Sequence, residues 1–189
     1  MSPMVRRSLT IEHALLGVIQ QGPLHGYQLH QQLCDPHGLG VVWRIKQAQL
    51  YAWLDKLEGD GYITSSMQPQ ETRPARRVYQ LTAFGQRAFQ EWLSTPVHAP
   101  RYMRQEFQAK LYFAQGGSPE QFARLVALQR TACQGWLADH QSQAVEEKDG
   151  HAYAWLVDQY RVGQIQAMLD WLDLCQGTLY RSQENTASQ

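Results

Sequence analysis

The chain has 189 residues, of which 43% are hydrophobic and 18% charged, and its formal net charge is zero. This length accommodates one large or two small domains, and this composition excludes an intrinsically disordered chain. No apolar run approaches the roughly 20 residues of a membrane span, and the N-terminus lacks a secretory signal, so we expect a cytoplasmic protein without membrane association.

Two short helices are predicted at the start of the chain. The first covers residues 9–21, with Thr10 as a candidate N-cap, and Gly22–Pro23 ends it. The second begins at Gly26 and ends before Pro36, because a proline and the residue before it both disfavour a continuing helix.

The third predicted helix lies within the stretch 44–64 and is amphipathic. Leu50, Leu54 and Leu57 recur at the spacing i, i+4, i+7 and form its apolar face. The opposite face is small and polar, which allows a partner to approach the helix closely. Its residues are Ala48, Ala52, Asp55 and Gly59, flanked by Gln49 and Lys56. Glycine at 59 and 61 predicts the C-terminus of this helix.

A β-hairpin is predicted to follow. Its strands begin near Tyr62 and Arg76, and the polar loop between them contains two prolines. Three helices and a hairpin in this order indicate a winged helix-turn-helix, whose third helix enters the DNA major groove while the hairpin tip, the wing, reaches the backbone or the minor groove. A helix followed by a hairpin is also common in proteins that bind no nucleic acid, so the pattern alone leaves both interpretations open.

The remaining chain is predicted to be helical. Residues 83–94 form a fourth helix, and residues 95–102, with two prolines, form a linker. A helical domain then covers 103–181, and a polar tail covers 182–189.

Within the domain 103–181, a first helix carries the stripe Met103, Phe107, Leu111 and Ala114. Two long helices follow, and the short connection Lys148–Asp149–Gly150 makes them an antiparallel hairpin. One helical hairpin cannot cover its own apolar faces, so we expect a second copy of the chain to pack against them. A two-fold homodimer would also place two DNA-reading helices about 34 Å apart, as palindromic DNA requires.

Many positions of the first half occur together in an order typical of one family. They are Leu16–Gly17, Pro23–Leu24–His25–Gly26–Tyr27, Gln49–Leu50–Tyr51, Leu54, Leu57–Glu58, Gly61, Arg73–Pro74, Tyr79, Leu81–Thr82, Gly85 and Trp92. In this combination, residues 8–94 resemble the PadR family of bacterial transcriptional regulators.

The resemblance implies a mainly α fold, with an N-terminal winged helix-turn-helix over 1–94 and a C-terminal antiparallel helical dimerisation domain. It also implies a homodimer that binds an inverted repeat in a promoter and usually represses transcription. In some relatives, a small aromatic effector releases the DNA.

Candidate DNA contacts lie on the third helix, on the wing and on two tyrosines. The net charge of residues 1–94 is +2, from nine basic and seven acidic residues, so a local basic surface coexists with overall neutrality. Gln47 and Gln49 are expected to read base edges, because a glutamine can form two hydrogen bonds with adenine. The expected phosphate or base contacts are Lys46, Lys56, Arg73, Arg76, Arg77, Tyr27 and Tyr51. For both tyrosines, packing on the core alone remains an alternative.

The aromatic-rich second half also offers a candidate small-molecule site. Trp136, Trp155 and Tyr160 are candidates for binding a planar aromatic effector. The alternative is that these side chains fill the dimer core.

Catalytic and metal sites are not expected. The sequence shows no Gly-rich phosphate loop, paired-carboxylate constellation or nucleophile motif, so we predict a protein that is not an enzyme and needs no cofactor. A zinc site could be drawn from His25, His30, Cys34 and His37, but it is not favoured. The three cysteines, Cys34, Cys133 and Cys175, fit no zinc or redox spacing, and buried free thiols are expected. The competing function is a winged helix that contacts other proteins and binds no DNA.

Overall fold

The computed structural model describes residues 10–69, 75–147 and 151–187. Seven α-helices form in these residues: α1 Thr10–Gln20, α2 Gly26–Leu33, α3 Gln47–Gly59, α4 Ala83–Ser94, α5 Glu106–Gln115, α6 Pro119–Glu147 and α7 Ala152–Ala187. The strands are β1 Leu24–His25, β2 Ile63–Gln68 and β3 Arg76–Leu81, and two 3-10 turns cover Leu39–Val41 and Pro100–Arg104. The mainly α fold with a small sheet confirms the predicted fold class.

The described residues divide into two compact units. The first contains the chain up to Ser94 together with Gln105–Gly116, and the second contains Thr95–Arg104 together with the chain from Gly117 onwards. None of the helices described here is long and apolar enough to cross a membrane.

The sheet of the first unit has the strand order β1–β3–β2 and is antiparallel throughout. The pairs Ile63–Leu81 and Gln68–Arg76 mark the two ends of the hairpin register. The sequence predicts this hairpin but not β1, because a strand of two residues shows no alternation of apolar and polar side chains. Leu24 of β1 pairs with Tyr79, so β1 fastens the start of α2 to the sheet.

Helix α3 has the two faces that its sequence predicts. Leu50, Leu54 and Leu57 are at most 1% exposed, whereas the four small and polar residues of the opposite face are all exposed. The helix ends as expected, because Gly61 adopts a φ of +78°, a conformation that glycine accepts without strain.

Helix α5 is assigned differently by sequence and by structure. The sequence pattern places it in a C-terminal domain over 103–181, whereas the contacts place it in the first unit. The Phe113 ring lies edge-on to Phe89, with ring centroids 5.3 Å apart, and Trp92 donates a hydrogen bond to Glu106 over 3.0 Å. An apolar stripe shows that a helix is buried, but it does not identify the surface against which the helix packs.

The predicted boundaries around α5 also shift. Met103 lies in the 3-10 turn Pro100–Arg104, which also occupies the end of the predicted linker 95–102. Gln105 separates this turn from α5, so the predicted stripe does not belong to one continuous helix.

Helices α6 and α7 of the second unit form the predicted antiparallel hairpin. Arg130 pairs with Asp173, and farther along α6, His140 pairs with Asp158 over 2.8 Å. Since later residues of α6 meet earlier residues of α7, the two helices run in opposite directions. Helix α7 continues to Ala187, through most of the stretch 182–189 that the sequence analysis assigned to a polar tail. No proline or glycine follows Gly177, so the sequence contains no helix breaker there.

Gln129 of α6 holds the segment that enters the second unit. Its side chain is fully buried, and its Oε1 accepts a hydrogen bond of 2.8 Å from the backbone N–H of Val97. We expect Gln129→Met to lower the free energy of unfolding by about 1–3 kcal/mol, because a buried N–H loses its acceptor. Urea denaturation checks this. Gln141→Met, at an exposed position of the same helix, is the control and should change stability by less than about 0.5 kcal/mol.

Candidate nucleic-acid interface

The exposed side of α3 begins with three candidate base-reading and phosphate-binding residues. Lys46, Gln47 and Gln49 are all exposed. Gln49 also stabilises the helix start, because its Oε1 accepts a hydrogen bond of 3.2 Å from the backbone N–H of Lys46. A base contact through this oxygen would have to replace that bond, whereas the Gln49 amide N–H groups remain available as donors.

Lys56, near the end of α3, pairs within the protein. Its Nζ lies 3.1 Å from Glu12 Oε1 of α1, and the Lys56 side chain is 48% exposed. The pair joins α3 to α1, so a DNA contact by Lys56 would compete with an existing ion pair. A half-exposed pair of this kind contributes little to stability.

Arg77 of β3 is the centre of a network with α3. Its guanidinium donates to Asp55 Oδ1 over 3.0 Å, to Ser65 Oγ over 2.9 Å and to Glu58 Oε2. Ser65 in turn donates to Glu58 Oε1 over 2.6 Å. Partial burial acts to lower the pKa of Arg77, but the Asp55 hydrogen bond and the nearby carboxylates outweigh it and raise the pKa. The Arg77 charge is thus neutralised by two carboxylates of the helix.

Arg76, the adjacent residue, makes a different contact. Its Nη1 lies 3.1 Å from Nε2 of His25, at the start of α2. A guanidinium carries only donors, so His25 Nε2 is the acceptor in this contact. The other ring nitrogen, Nδ1, lies 3.4 Å from the backbone nitrogen of Gln28. Among the described residues no carboxylate forms an ion pair with Arg76, in contrast to Arg77.

A pocket of about 380 Å³ opens between α2, α3 and β3, and we call it the tyrosine pocket. Its lining residues are His25, Gly26, Tyr27, Tyr51, Arg76, Arg77 and Tyr79. Tyr27 is 58% exposed and Tyr51 is 39% exposed, so core packing alone does not account for either side chain. Tyr79 is 1% exposed, and burial, the main cause, raises the pKa of its phenol. The pocket therefore combines phenol groups with one arginine that has no carboxylate partner in the described chain.

Comparisons with known proteins decide the family. A family model described as "Transcriptional regulator PadR-like family" matches residues 15–91, and one described as "Virulence activator alpha C-term" matches residues 103–179. Over 131 residues, the chain is 30% identical to the negative transcriptional regulator PadR of Bacillus subtilis (strain 168), which covers 69% of this chain and 71% of that protein. The chain belongs to the PadR-like family. It is accordingly a transcriptional regulator and not an enzyme.

Two crystal structures of Bacillus subtilis PadR are similar to this PadR-like chain. The complex with operator DNA has 24% sequence identity and a TM-score of 0.45, over 89% of this chain and 98% of that one. The complex with p-coumaric acid has 25% identity and a TM-score of 0.41, over 90% and 98% respectively.

The effector candidates of the PadR-like chain lie on α6 and α7. Trp136 and Trp155 are half-buried, whereas Tyr160 is 65% exposed and its hydroxyl accepts a hydrogen bond of 2.8 Å from Gln164.

Arg73, the remaining wing candidate, lies outside the described residues.

Two of the residues considered for zinc, His30 and Cys34, contact a backbone carbonyl in this PadR-like chain. His30 Nε2 lies 3.0 Å from the carbonyl oxygen of Ile45, and the Cys34 thiol lies 3.6 Å from the same oxygen. Within the described ranges, no group of three His, Cys, Asp or Glu side chains is arranged to hold a metal ion.

Sequence reasoning missed the partners of Arg77 and the contact between Arg76 and His25. Asp55 and Glu58 could have indicated the Arg77 network, because two carboxylates on a helix face that approaches DNA require a nearby cation. Nothing in the sequence indicates the contact between Arg76 and His25, since the two residues are 51 positions apart.

Proposed function

We propose that this regulator is a repressor that binds an inverted-repeat operator as a homodimer. The observation that carries the proposal is the exposed, small and polar face of α3, beside a hairpin that carries arginines. Such a face admits close approach to DNA, and the wing adds positive charge next to it. The direction of regulation follows the 30%-identical Bacillus subtilis relative, which is named a negative regulator.

Base recognition is assigned to the start of α3. Gln47 and Lys46 are exposed there, and Ala48 and Ala52 leave room for the helix backbone to approach base edges. Gln49 contributes through its amide N–H groups, because its oxygen caps the helix. Helix N-termini also favour phosphate groups, which adds to the attraction of DNA for this end of α3.

Dimerisation is assigned to the helical hairpin α6–α7. Three large side chains of α7 follow one another at helical spacing and are exposed in the single chain: Tyr153 at 81%, Leu156 at 58% and Tyr160 at 65%. Exposed apolar side chains in such a row favour burial against a second copy. The dimerisation domain proposed here begins at α6, because α5 belongs to the first unit.

Release by a small aromatic effector is proposed for the same hairpin. Trp136 and Trp155 offer apolar ring surface, and Tyr160 adds a hydroxyl that can hydrogen-bond a polar substituent. The first compound to test is p-coumaric acid, which the Bacillus subtilis structure contains.

The test is fluorescence anisotropy with the DNA upstream of the protein's own gene, over a salt series, against scrambled DNA of equal length. We expect specific binding that weakens with salt, by two chains per operator, and a sedimentation mass of twice 21.7 kDa for the free protein. Addition of p-coumaric acid should lower the anisotropy of the complex.

A charge placed on the exposed face of α3 tests the interface directly. Ala52→Glu should weaken operator binding about a hundredfold or more, because a carboxylate then faces the DNA phosphates. Gln86→Glu adds the same charge at an exposed position of α4 and should change affinity by less than about threefold. Equal affinities for the two variants, or no DNA binding by the unchanged protein, would favour the protein-contact function instead.

A further inference from the structure

We propose that the tyrosine pocket holds one backbone phosphate of the operator with its deoxyribose, and that Arg76 binds this phosphate. We further infer that Arg77, the next residue, does not contact DNA but positions α3 against the wing. Both inferences rest on the proposed function, because they assume that the protein binds an operator.

The lining of the tyrosine pocket suits a phosphate with its sugar. Arg76 supplies a charged donor, Tyr27 and Tyr51 supply phenols at the rim, and the rings offer apolar surface on which a deoxyribose can pack. Tyr79 is 1% exposed, and its hydroxyl forms no hydrogen bond with any residue that the structure describes. Since a buried hydroxyl requires a hydrogen-bond partner, this group suits a ligand with acceptor oxygens.

The tyrosine pocket adjoins the face of α3 that is proposed to read bases. Tyr51 follows Gln47 by four residues, so the two side chains lie on the same side of the helix, one turn apart. The pocket also includes Gly26, the first residue of α2, where a Cβ atom would come within 2.7–2.9 Å of the ring and the hydroxyl of Tyr51. A strand of DNA whose bases meet Gln47 therefore passes the pocket with its backbone.

Arg77 is committed within the protein, whereas Arg76 is not. The Arg77 guanidinium uses Nε and both Nη atoms on Ser65, Asp55 and Glu58, and these carboxylates neutralise its charge. Breaking this network to bind a phosphate would leave two carboxylates facing DNA. Arg76 has the His25 imidazole, not a carboxylate, as its described partner, so its charge is available for a phosphate.

The two adjacent arginines provide a matched experiment. Arg76→Ala and Arg77→Ala are compared by anisotropy with the operator fragment over a salt series. Each phosphate contact contributes about 0.9 to the slope of log K against log salt concentration, so Arg76→Ala should reduce the slope by about 0.9 and weaken binding about tenfold or more. Arg76→Lys keeps the charge and should restore the slope.

Arg77→Ala is expected to leave the salt slope unchanged. It should lower the ratio of operator affinity to scrambled-DNA affinity about tenfold, because α3 loses its attachment to the wing. A purely structural role would lower the melting temperature without changing this ratio at temperatures where the variant is folded. A slope that falls by the same amount in both arginine variants would overturn the assignment.

Operators with single methylphosphonate substitutions locate the phosphate. Each substitution removes one negative charge at a known position, and the loss of affinity is measured for the unchanged protein and for Arg76→Ala. We expect one phosphate position in each half-site whose substitution weakens DNA binding by the unchanged protein but not by Arg76→Ala. No phosphate position should show this difference between the unchanged protein and Arg77→Ala.

The outcomes separate the two proposals. If the operator is bound specifically but no methylphosphonate position is coupled to Arg76, the phosphate assignment is wrong and the proposed function stands. If no specific operator is bound by the unchanged dimer, the proposed function itself is wrong.

Discussion

Glu106→Gln should lower the free energy of unfolding by about 3–5 kcal/mol, the largest effect of a single substitution that we expect. Glu106 and Lys110 of α5 form an ion pair of 3.4 Å, and their side chains are only 7% and 1% exposed. The amide keeps an acceptor oxygen for the Trp92 indole N–H, which lies 3.0 Å from the carboxylate, so the change removes charge while it conserves shape and hydrogen bonding.

The free energy of unfolding that Glu106→Gln can remove has an upper limit, set by the cost of deprotonating Lys110. Burial, opposed by Glu106, already lowers the pKa of Lys110 from its ordinary value of 10.5. Without the carboxylate, the lysine can fold as a neutral amine, and at pH 7 deprotonation costs about 1.4 kcal/mol for each of roughly three and a half pH units, or about 5 kcal/mol. Urea denaturation at pH 7 measures the loss.

The dependence on pH has a definite sign. Because the pKa of Lys110 is lower in the folded state, the unfolded chain binds more protons in the alkaline range, and stability rises with pH towards 10.5. The Glu106→Gln deficit should therefore shrink between pH 7 and about pH 10. The double variant Glu106→Gln/Lys110→Met should recover most of the loss, since no charge stays buried. A Glu106→Gln deficit below about 1 kcal/mol at pH 7 would show that the pair does not stabilise the fold.

Gly85→Ala should destabilise the first unit by about 1–3 kcal/mol or more. Gly85 lies in the first turn of α4, and a Cβ atom there would come within 2.0 Å of the carbonyl oxygen of Tyr62. This oxygen is backbone, and it accepts hydrogen bonds from the N–H and the hydroxyl of Thr82, over 3.1 Å and 3.0 Å. The methyl group can be accommodated only if α4 moves away from the start of β2.

Gly59→Ala is the control for Gly85→Ala. Gly59 is the last residue of α3, and a Cβ atom there would meet no atom within 4 Å. Alanine should stabilise the helix by about 0.5–1 kcal/mol, because the unfolded chain loses conformational freedom. The melting temperature should therefore fall in Gly85→Ala and rise in Gly59→Ala. An unchanged melting temperature in Gly85→Ala would mean that the α4–β2 contact is looser than its geometry indicates.

The order of the helices and the hairpin could be predicted because their signals are local. The leucine spacing of α3 and the glycine at position 61 each report on a few neighbouring residues, and the structure agrees with both. The start of α6 also depends on a local contact, since the Ser118 hydroxyl accepts the N–H of Gln121 over 3.2 Å.

The chemistry of the candidate site could be predicted only in part. The residue types on α3 and the wing indicate DNA binding, but the difference between Arg76 and Arg77 depends on partners that are 19 to 51 positions away in the sequence. The two adjacent arginines cannot be told apart by sequence pattern. Only the packed structure shows that Arg77 is the one that pairs with Asp55 and Glu58. The packing partners of α5 could not be predicted for the same reason, since its burial is a local signal but its partners Phe89 and Trp92 are not local.

The connectivity of α5 has a consequence for exchanging modules between related regulators. The chain leaves the first unit after Ser94, returns at Gln105 and leaves again after Gly116, so three covalent crossings join the two units. If the first unit were transferred to another regulator as one continuous segment ending at Ser94, it would lack the Phe113 ring and the Glu106 carboxylate, both of which contact Trp92. A functional chimera must therefore carry two separate segments from the same parent, and natural recombination between such genes meets the same constraint.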